Sequence, residues 1–318
     1  MQAVIALYQD VKSDQLERIK SLAKDYQVKN PGDIDLADDP RIEIIYGWDA
    51  SLTEDRLRQM TQLKWIQKDS AGLDAIPDWL KNDGSYFVTS LSGIHGQAIT
   101  ETVLAYVLSV YRGLDQARTL QRKRVWQGLD HSVYRSLNDK TILIYGTGHI
   151  GSRLAEVFKV FGSRVLGVNT SGRPVDNFDD TFVLTKEMTL LDQVDILINA
   201  LPLTKDTDMY FSRKIFEAMN QNSLFINIGR GGSLDQEALY QALVNNDIGG
   251  AYLDVFEPEP LPDTSPLWDI DELLITPHMS GQVEHFRDQA FDIFFPNLQA
   301  YLKKGQPEIN IYQAGRGY

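Results

Sequence analysis

The sequence has no cysteine. That excludes disulfides, thiolate nucleophiles, iron–sulfur clusters held on the chain's own thiolates and cysteine-type zinc sites. No metal site is expected. Long apolar runs are missing too: nothing approaches the roughly 18 consecutive apolar residues that a membrane-spanning helix needs. Basic residues are the minority, 31 against 44 acidic, for a net charge of −13, the wrong sign for general attraction to nucleic acid or an anionic membrane. The opening MQAVIALYQD lacks the basic start and small-residue cleavage site of a signal peptide, so a cytoplasmic protein is expected. An anionic ligand would need its own local positive charge. One basic segment exists, Arg112, Arg118, Arg122, Lys123 and Arg124 against only Asp115, which reads either as a solvated helix face or as the flank of an anion cleft or subunit contact.

What is present is ordinary globular chemistry, 43% hydrophobic and 24% charged, over 318 residues, enough for about two domains. Strand-like and helix-like stretches alternate. QAVIALY (2–8) is followed by an amphipathic pattern of Leu16, Ile19, Leu22 and Ala23 that Ser13 could cap; IEIIYG (42–47), WIQKDSAG (65–72) and YFVTS (86–90) follow. Such alternation predicts an α/β fold with parallel sheets covered on both faces. One long helix is expected over about 98–124, and a second alternating series opens at 141.

The second series carries the first chemical signal. The apolar strand TILIY runs into Gly146, Gly148 and Gly151, a G-x-G-x-x-G spacing, and then into a helix. The first glycine permits the turn, the second lets backbone approach a pyrophosphate and the third packs helix against strand. The helix start, with His149 and Ile150, then offers backbone N–H groups and a positive dipole end to the phosphates. The next strand, RVLGV, ends at Asn169, where an acid would accept hydrogen bonds from the ribose hydroxyls of NAD. A neutral Asn169, with Ser171 and Arg173 following, does not repel a 2′-phosphate and can bind one, which favours NADP(H) over NAD(H).

Two further strand ends carry chemistry. SLFINI (223–228) delivers Arg230 among Gly229, Gly231 and Gly232, with Ser233 and Gln236 spaced as a capping box. A guanidinium there suits a 2-oxo acid, whose carboxylate it can hold while polarising the adjacent carbonyl. LLIT (273–276) ends in Pro277 and His278, at the carboxyl end of a strand where ligands of open α/β sheets collect.

In the order VTSLSGIHGQAITET (88–102), the glycine loop, DILINALPLTKDT (195–207), LFINIGRGGSLD (224–235), GAYLDVFEPEPL (250–261) and PLWDIDELLITPHMSG (266–281), the chain resembles the D-isomer-specific 2-hydroxyacid dehydrogenases. The resemblance implies two Rossmann- or flavodoxin-like domains with parallel sheets and an active site in the cleft between them. The substrate domain would be 1–96 plus 285–318, the NAD(P)-binding domain 97–284, and the assembly a homodimer. The final helix, about 284–303, would return to the first domain, bent or interrupted at Pro296. His278 would be the general acid and base, Glu259 rather than Glu257 its carboxylate partner and Arg230 the substrate anchor. Asp254 would meet the nicotinamide amide. Pro202, Thr207, Ile228, Gly229 and Gly281 would line the cofactor, and the loop Ser70–Asp74, through Ala71 and Gly72, would bind the substrate carboxylate. The expected reaction is hydride transfer between a nicotinamide and C2 of a small 2-oxo or 2-hydroxy acid such as glyoxylate, hydroxypyruvate or pyruvate. The alternative is a dinucleotide-sensing regulatory protein of the same fold.

Overall fold

The computed structural model describes residues 2–30, 39–73, 75–184 and 186–313. The chain forms two compact units, one of Met1–Ile94 with Val283–Tyr318 and one of His95–Gln282.

In the first unit, β1 (Ala3–Leu7), β2 (Tyr26–Lys29), β3 (Ile42–Tyr46), β4 (Trp65–Gln67) and β5 (Phe87–Thr89) form a parallel sheet in the order β2-β1-β3-β4-β5. The central strands β1 and β3 are buried along nearly their whole length, as in a sheet covered on both faces. The helices α1 (Ser13–Leu22), α2 (Glu54–Gln59) and α3 (Asp78–Asn82) connect them, and Leu57 and Leu80 of the last two lie in the core. Ser13 does not cap α1. It is the first helical residue, and the Gln15 side chain instead accepts the Lys12 N–H at 3.0 Å.

The final helix runs Phe286–Lys304 without a break at Pro296. Pro296 and Asp292, whose carbonyl loses its intrahelical donor, both lie on the exposed face, which is open to water. The opposite stripe of Ala290, Phe294, Leu298 and Tyr301 is buried, and Phe294 stacks on Tyr46 of β3 with ring centroids 3.9 Å apart. Packing of that stripe keeps the helix whole.

The second unit opens with α4 (Gly96–Arg112) and α5 (Leu114–Arg122) in place of one long helix. Gly113 separates them at φ +62, a left-handed conformation that ends α4. Then come β6 (Thr141–Tyr145), α6 (His149–Val160), β7 (Arg164–Asn169), β8 (Asp180–Val183), β9 (Ile196–Asn199), α7 (Arg213–Ala218), β10 (Leu224–Asn227), α8 (Gln236–Val244), β11 (Gly250–Leu253) and β12 (Leu273–Ile275). The seven strands are parallel in the order β12-β11-β10-β9-β6-β7-β8, with apolar clusters on both faces. Chain direction across the sheet reverses between β6 and β9, the switch point at which open α/β sheets bind ligands. With the final helix counted as α9, no helix among the described residues is long and apolar enough to cross a membrane.

Candidate active site

The glycine loop sits at the switch point. Gly146 has φ +99, and a Cβ there would lie 2.9 Å from the carbonyl oxygen of Ala200, just past β9. At Gly151 a Cβ would meet the Gly146 carbonyl oxygen at 1.8 Å, so only glycine lets α6 pack this close to the turn. Gly148 is different: nothing lies within 4 Å of its would-be Cβ. It is the N-cap residue of α6, and no side chain caps the helix. The N-terminus that His149 and Ile150 begin is therefore left for an anion. The residues fit a dinucleotide pyrophosphate on this observation.

At the end of β7 the Asn169 side chain shapes its own loop. Its Oδ1 accepts the Ser171 N–H at 3.1 Å, and its Nδ2 donates to the Arg173 carbonyl at 3.0 Å. Ser171 and Arg173 are exposed, and among the described residues the Arg173 guanidinium makes no ion pair.

Across the switch point, three charged groups of the same unit gather at the ends of β10, β11 and β12. His278 Nδ1 lies 2.9 Å from Glu259 Oε2. An ionised carboxylate only accepts, so Nδ1 carries the proton and Nε2 is the nitrogen left for other chemistry. Glu259 Oε1 accepts the Phe256 N–H at 3.0 Å, which fixes the second oxygen. Burial pushes the Glu259 carboxyl up, but the His278 hydrogen bond, the Phe256 N–H and the charges of His278 and Arg230 outweigh it and hold its pKa below the ordinary carboxylate value. His278 takes φ +51, a left-handed conformation that costs free energy in a non-glycine residue.

Asp254, only 2% exposed, holds that conformation. Its carbonyl accepts the His278 N–H at 2.9 Å. Its carboxylate accepts the N–H groups of Met279 at 2.8 Å and Ser280 at 3.0 Å, with the hydroxyls of Thr276 and Ser280. Its lone pairs are thus spent on the 276–280 turn. Arg230 is extended at φ −141, ψ 142, and its Nη1 donates to the Gly229 carbonyl at 2.9 Å.

The remaining expected residues fall in ordered backbone. The Thr207 hydroxyl donates to the Pro202 carbonyl at 2.7 Å and accepts the Thr204 N–H at 2.8 Å, closing that turn. The Ile228 N–H donates to the Asn199 carbonyl at 3.0 Å, and the Gly281 carbonyl lies 2.7 Å from His95 Nδ1. In the first unit Ala71 and Gly72 are partly exposed, and the Ser70 hydroxyl donates to the Gly72 carbonyl at 2.7 Å. Asp74 lies outside the described residues. Trp126 and Trp268 are exposed.

The family profile described as "D-isomer specific 2-hydroxyacid dehydrogenase, NAD binding domain" matches residues 104–280. The chain belongs to the D-isomer specific 2-hydroxyacid dehydrogenase family. It is 30% identical over 266 residues to glyoxylate/hydroxypyruvate reductase A of Serratia proteamaculans, covering 81% of this chain and 82% of that protein. Among solved structures, phosphoglycerate dehydrogenase from Lactobacillus plantarum is 39% identical, with 98% of this chain and 100% of that one covered and a TM-score of 0.59. A D-isomer specific 2-hydroxyacid dehydrogenase from Xanthobacter autotrophicus, solved with NADPH and MES, is 25% identical over all of both chains with a TM-score of 0.81. This 2-hydroxyacid dehydrogenase is accordingly an oxidoreductase using a nicotinamide cofactor.

Sequence reasoning misplaced one feature of the dehydrogenase's site and missed another. Ser233 does not cap α8. The helix starts at Gln236 and is capped by Asp235, whose carboxylate accepts the Ala238 N–H at 3.0 Å. Ser233 is instead drawn into a buried polar cluster with Asn199 and Asn227, two residues that were not singled out. The available signal was an asparagine at the end of each of two apolar strands, INA and INI, where burial demands partners.

Proposed function

We propose that this dehydrogenase reduces a small 2-oxo acid, of the size of glyoxylate, hydroxypyruvate or pyruvate, to the 2-hydroxy acid with NADPH, and runs the reverse reaction with NADP. The observation that carries the proposal is the 2.9 Å contact between His278 Nδ1 and Glu259 Oε2 in the unit that holds the glycine loop. When bound, the nicotinamide supplies or accepts the hydride at C2. Nε2 of His278 gives a proton to the substrate oxygen in reduction and removes it in oxidation. Glu259 holds the ring in that tautomer and stabilises the imidazolium. Arg230 takes the substrate carboxylate in a forked, charge-assisted contact, supplying the local positive charge that the chain as a whole lacks.

On the cofactor side, Gly146, Gly148, Gly151, His149 and Ile150 form the pyrophosphate site, with Pro202, Thr207, Ile228, Gly229 and Gly281 lining the rest. Ser171 and Arg173 receive a 2′-phosphate, and Asn169 shapes their loop. The exposed Arg173 guanidinium, without an ion pair among the described residues, is what favours NADPH over NADH. The protein works in the cytoplasm as a homodimer. Supporting the dimer, α5 has no buried residue, and Leu114, Val125 and Trp126 on and after it are exposed.

Absorbance at 340 nm with glyoxylate, hydroxypyruvate, its 3-phosphate and pyruvate, each with NADPH and NADH, tests the proposal. Turnover of a small 2-oxo acid favouring NADPH is expected. Tight NADPH binding without turnover of any of them would overturn it.

A further inference from the structure

We infer that Asn199, Asn227 and Ser233 are positioning residues for Arg230, acting on its backbone so that the guanidinium is presented in one direction. All three are fully buried. The Arg230 carbonyl accepts three hydrogen bonds, from Ser233 Oγ at 2.7 Å, Asn227 Nδ2 at 3.2 Å and the Ser233 backbone N–H at 3.3 Å. Asn199 decides the direction of the two side-chain donors. Its Nδ2 donates to Ser233 Oγ at 2.8 Å, which leaves the single hydroxyl proton of Ser233 to point at Arg230. It also donates to Asn227 Oδ1 at 2.9 Å, and the Gly229 N–H reaches the same oxygen at 3.1 Å. With both donors on Oδ1, the amide of Asn227 has one orientation and its Nδ2 faces the Arg230 carbonyl. Asn199 itself is fixed by the Leu201 N–H on its Oδ1 at 3.0 Å.

Arg230 is thus held on one side by three side chains whose hydrogens have a single consistent assignment. On the other side the flanking glycines wedge the loop. A Cβ at Gly229 would stand 2.7 Å from the Leu201 carbonyl oxygen, and one at Gly231 only 1.9 Å from the Phe256 carbonyl oxygen. Phe256 is also the residue whose N–H fixes Glu259, so the Arg230 and Glu259 loops are registered against each other at one residue. Apolar side chains of similar volume could fill the space behind Arg230 at little cost, but only a satisfied polar network fixes the direction of a carbonyl.

This inference rests on the reading of Arg230 as the substrate anchor. The test measures oxalate, a two-carbon dicarboxylate mimic of the substrate, binding to the full-length protein with NADPH by calorimetry, together with kcat and KM for glyoxylate. Ser233→Ala should weaken oxalate binding and raise KM by about 3–12-fold, the loss of one net hydrogen bond, while the NADPH Kd is unchanged. Ser233→Thr, which keeps the hydroxyl, should restore oxalate affinity. Asn227→Asp, nearly isosteric but aiming an acceptor at the Arg230 carbonyl, should weaken oxalate at least as much and serves if Ser233→Ala fails to fold. In an Arg230→Lys background both substitutions should change oxalate affinity less than about twofold, because the group they position is gone. Equal losses in both backgrounds, or wild-type oxalate affinity in both variants, would overturn the inference. A wild-type protein that neither binds oxalate nor reduces glyoxylate would overturn the anchor reading itself, and the inference with it.

Discussion

Two glycines three residues apart should respond oppositely to the same added methyl group. At Gly151 an alanine Cβ lands 1.8 Å from the Gly146 carbonyl oxygen, where ordinary contact is 3.4–4 Å, so the start of α6 must retreat by more than an ångström. Overpacking of that kind costs about 1–3 kcal/mol, and a unit of this size melts about 2–4 °C lower per kcal/mol, so Gly151→Ala should lower Tm by roughly 2–12 °C with or without cofactor. At Gly148 the Cβ meets nothing within 4 Å, and its φ of −79 suits any residue. Gly148→Ala should therefore unfold within about 2 °C of wild type, the modest cost of alanine at a helix N-cap. The methyl points into the space the pyrophosphate should fill, so the NADPH Kd should rise at least about tenfold, some 1.4 kcal/mol. Thermal unfolding and quenching of protein fluorescence by NADPH read the two effects separately. Wild-type NADPH affinity in Gly148→Ala would refute the assignment of this loop to a phosphate, and a wild-type Tm in Gly151→Ala would refute the packing argument.

His278→Ala should lower kcat by about 10²–10⁴ while leaving the NADPH Kd near wild type, since only proton transfer is lost; an unchanged kcat would remove His278 from the reaction. Arg173→Ala should raise the Kd for NADPH about tenfold and leave that for NADH alone, and equal changes in both would end the 2′-phosphate assignment. The Glu259 carboxyl, depressed below its ordinary value of 4.5 by the His278 hydrogen bond and by neighbouring positive charge acting against burial, should titrate below pH 4.5 by carbon NMR and move upward in His278→Ala. Because the folded pKa is the lower one, the stabilisation from this pair is present above the ordinary carboxylate range and lost as pH falls through the depressed value. A Glu259 midpoint at or above 4.5 would contradict the geometry.

What could be seen in advance divides along a physical line. The need for glycine at 146 and 151 could be read from spacing because the backbone there leaves no room for a side chain, and only one residue type lacks one. The pairing of His278 with Glu259 could be anticipated because a titratable group at a strand end has few structural reasons to be there. The α4–α5 break was not read, since Leu114 continues the apolar period across Gly113 and only the left-handed φ at that glycine reveals the end of α4. Pro296 misled in the opposite direction. Its rule concerns a lost hydrogen bond, and the cost of losing one depends on whether water reaches the freed carbonyl, which burial decides and local sequence does not.

Ser233 shows the deeper limit. A serine three residues before a glutamine satisfies the rule for a helix start, yet a hydroxyl has one proton, and here it goes to the Arg230 carbonyl because Asn199 occupies the oxygen's lone pair from the other side. Local rules assign a polar side chain to its nearest backbone donors, whereas burial lets distant strands compete for it. Asn199 on β9 and Ser233 beyond β10 are brought together by the pairing of those two strands, in which Asn227 lies directly opposite Asn199. The parallel register of the sheet therefore builds the support behind Arg230 as well as the strand ends that carry the charged groups. A one-residue slip between β9 and β10 would separate Asn199 from Asn227 and leave the Ser233 hydroxyl and the Asn227 amide free to turn away from the Arg230 carbonyl, while keeping every charged residue in the chain.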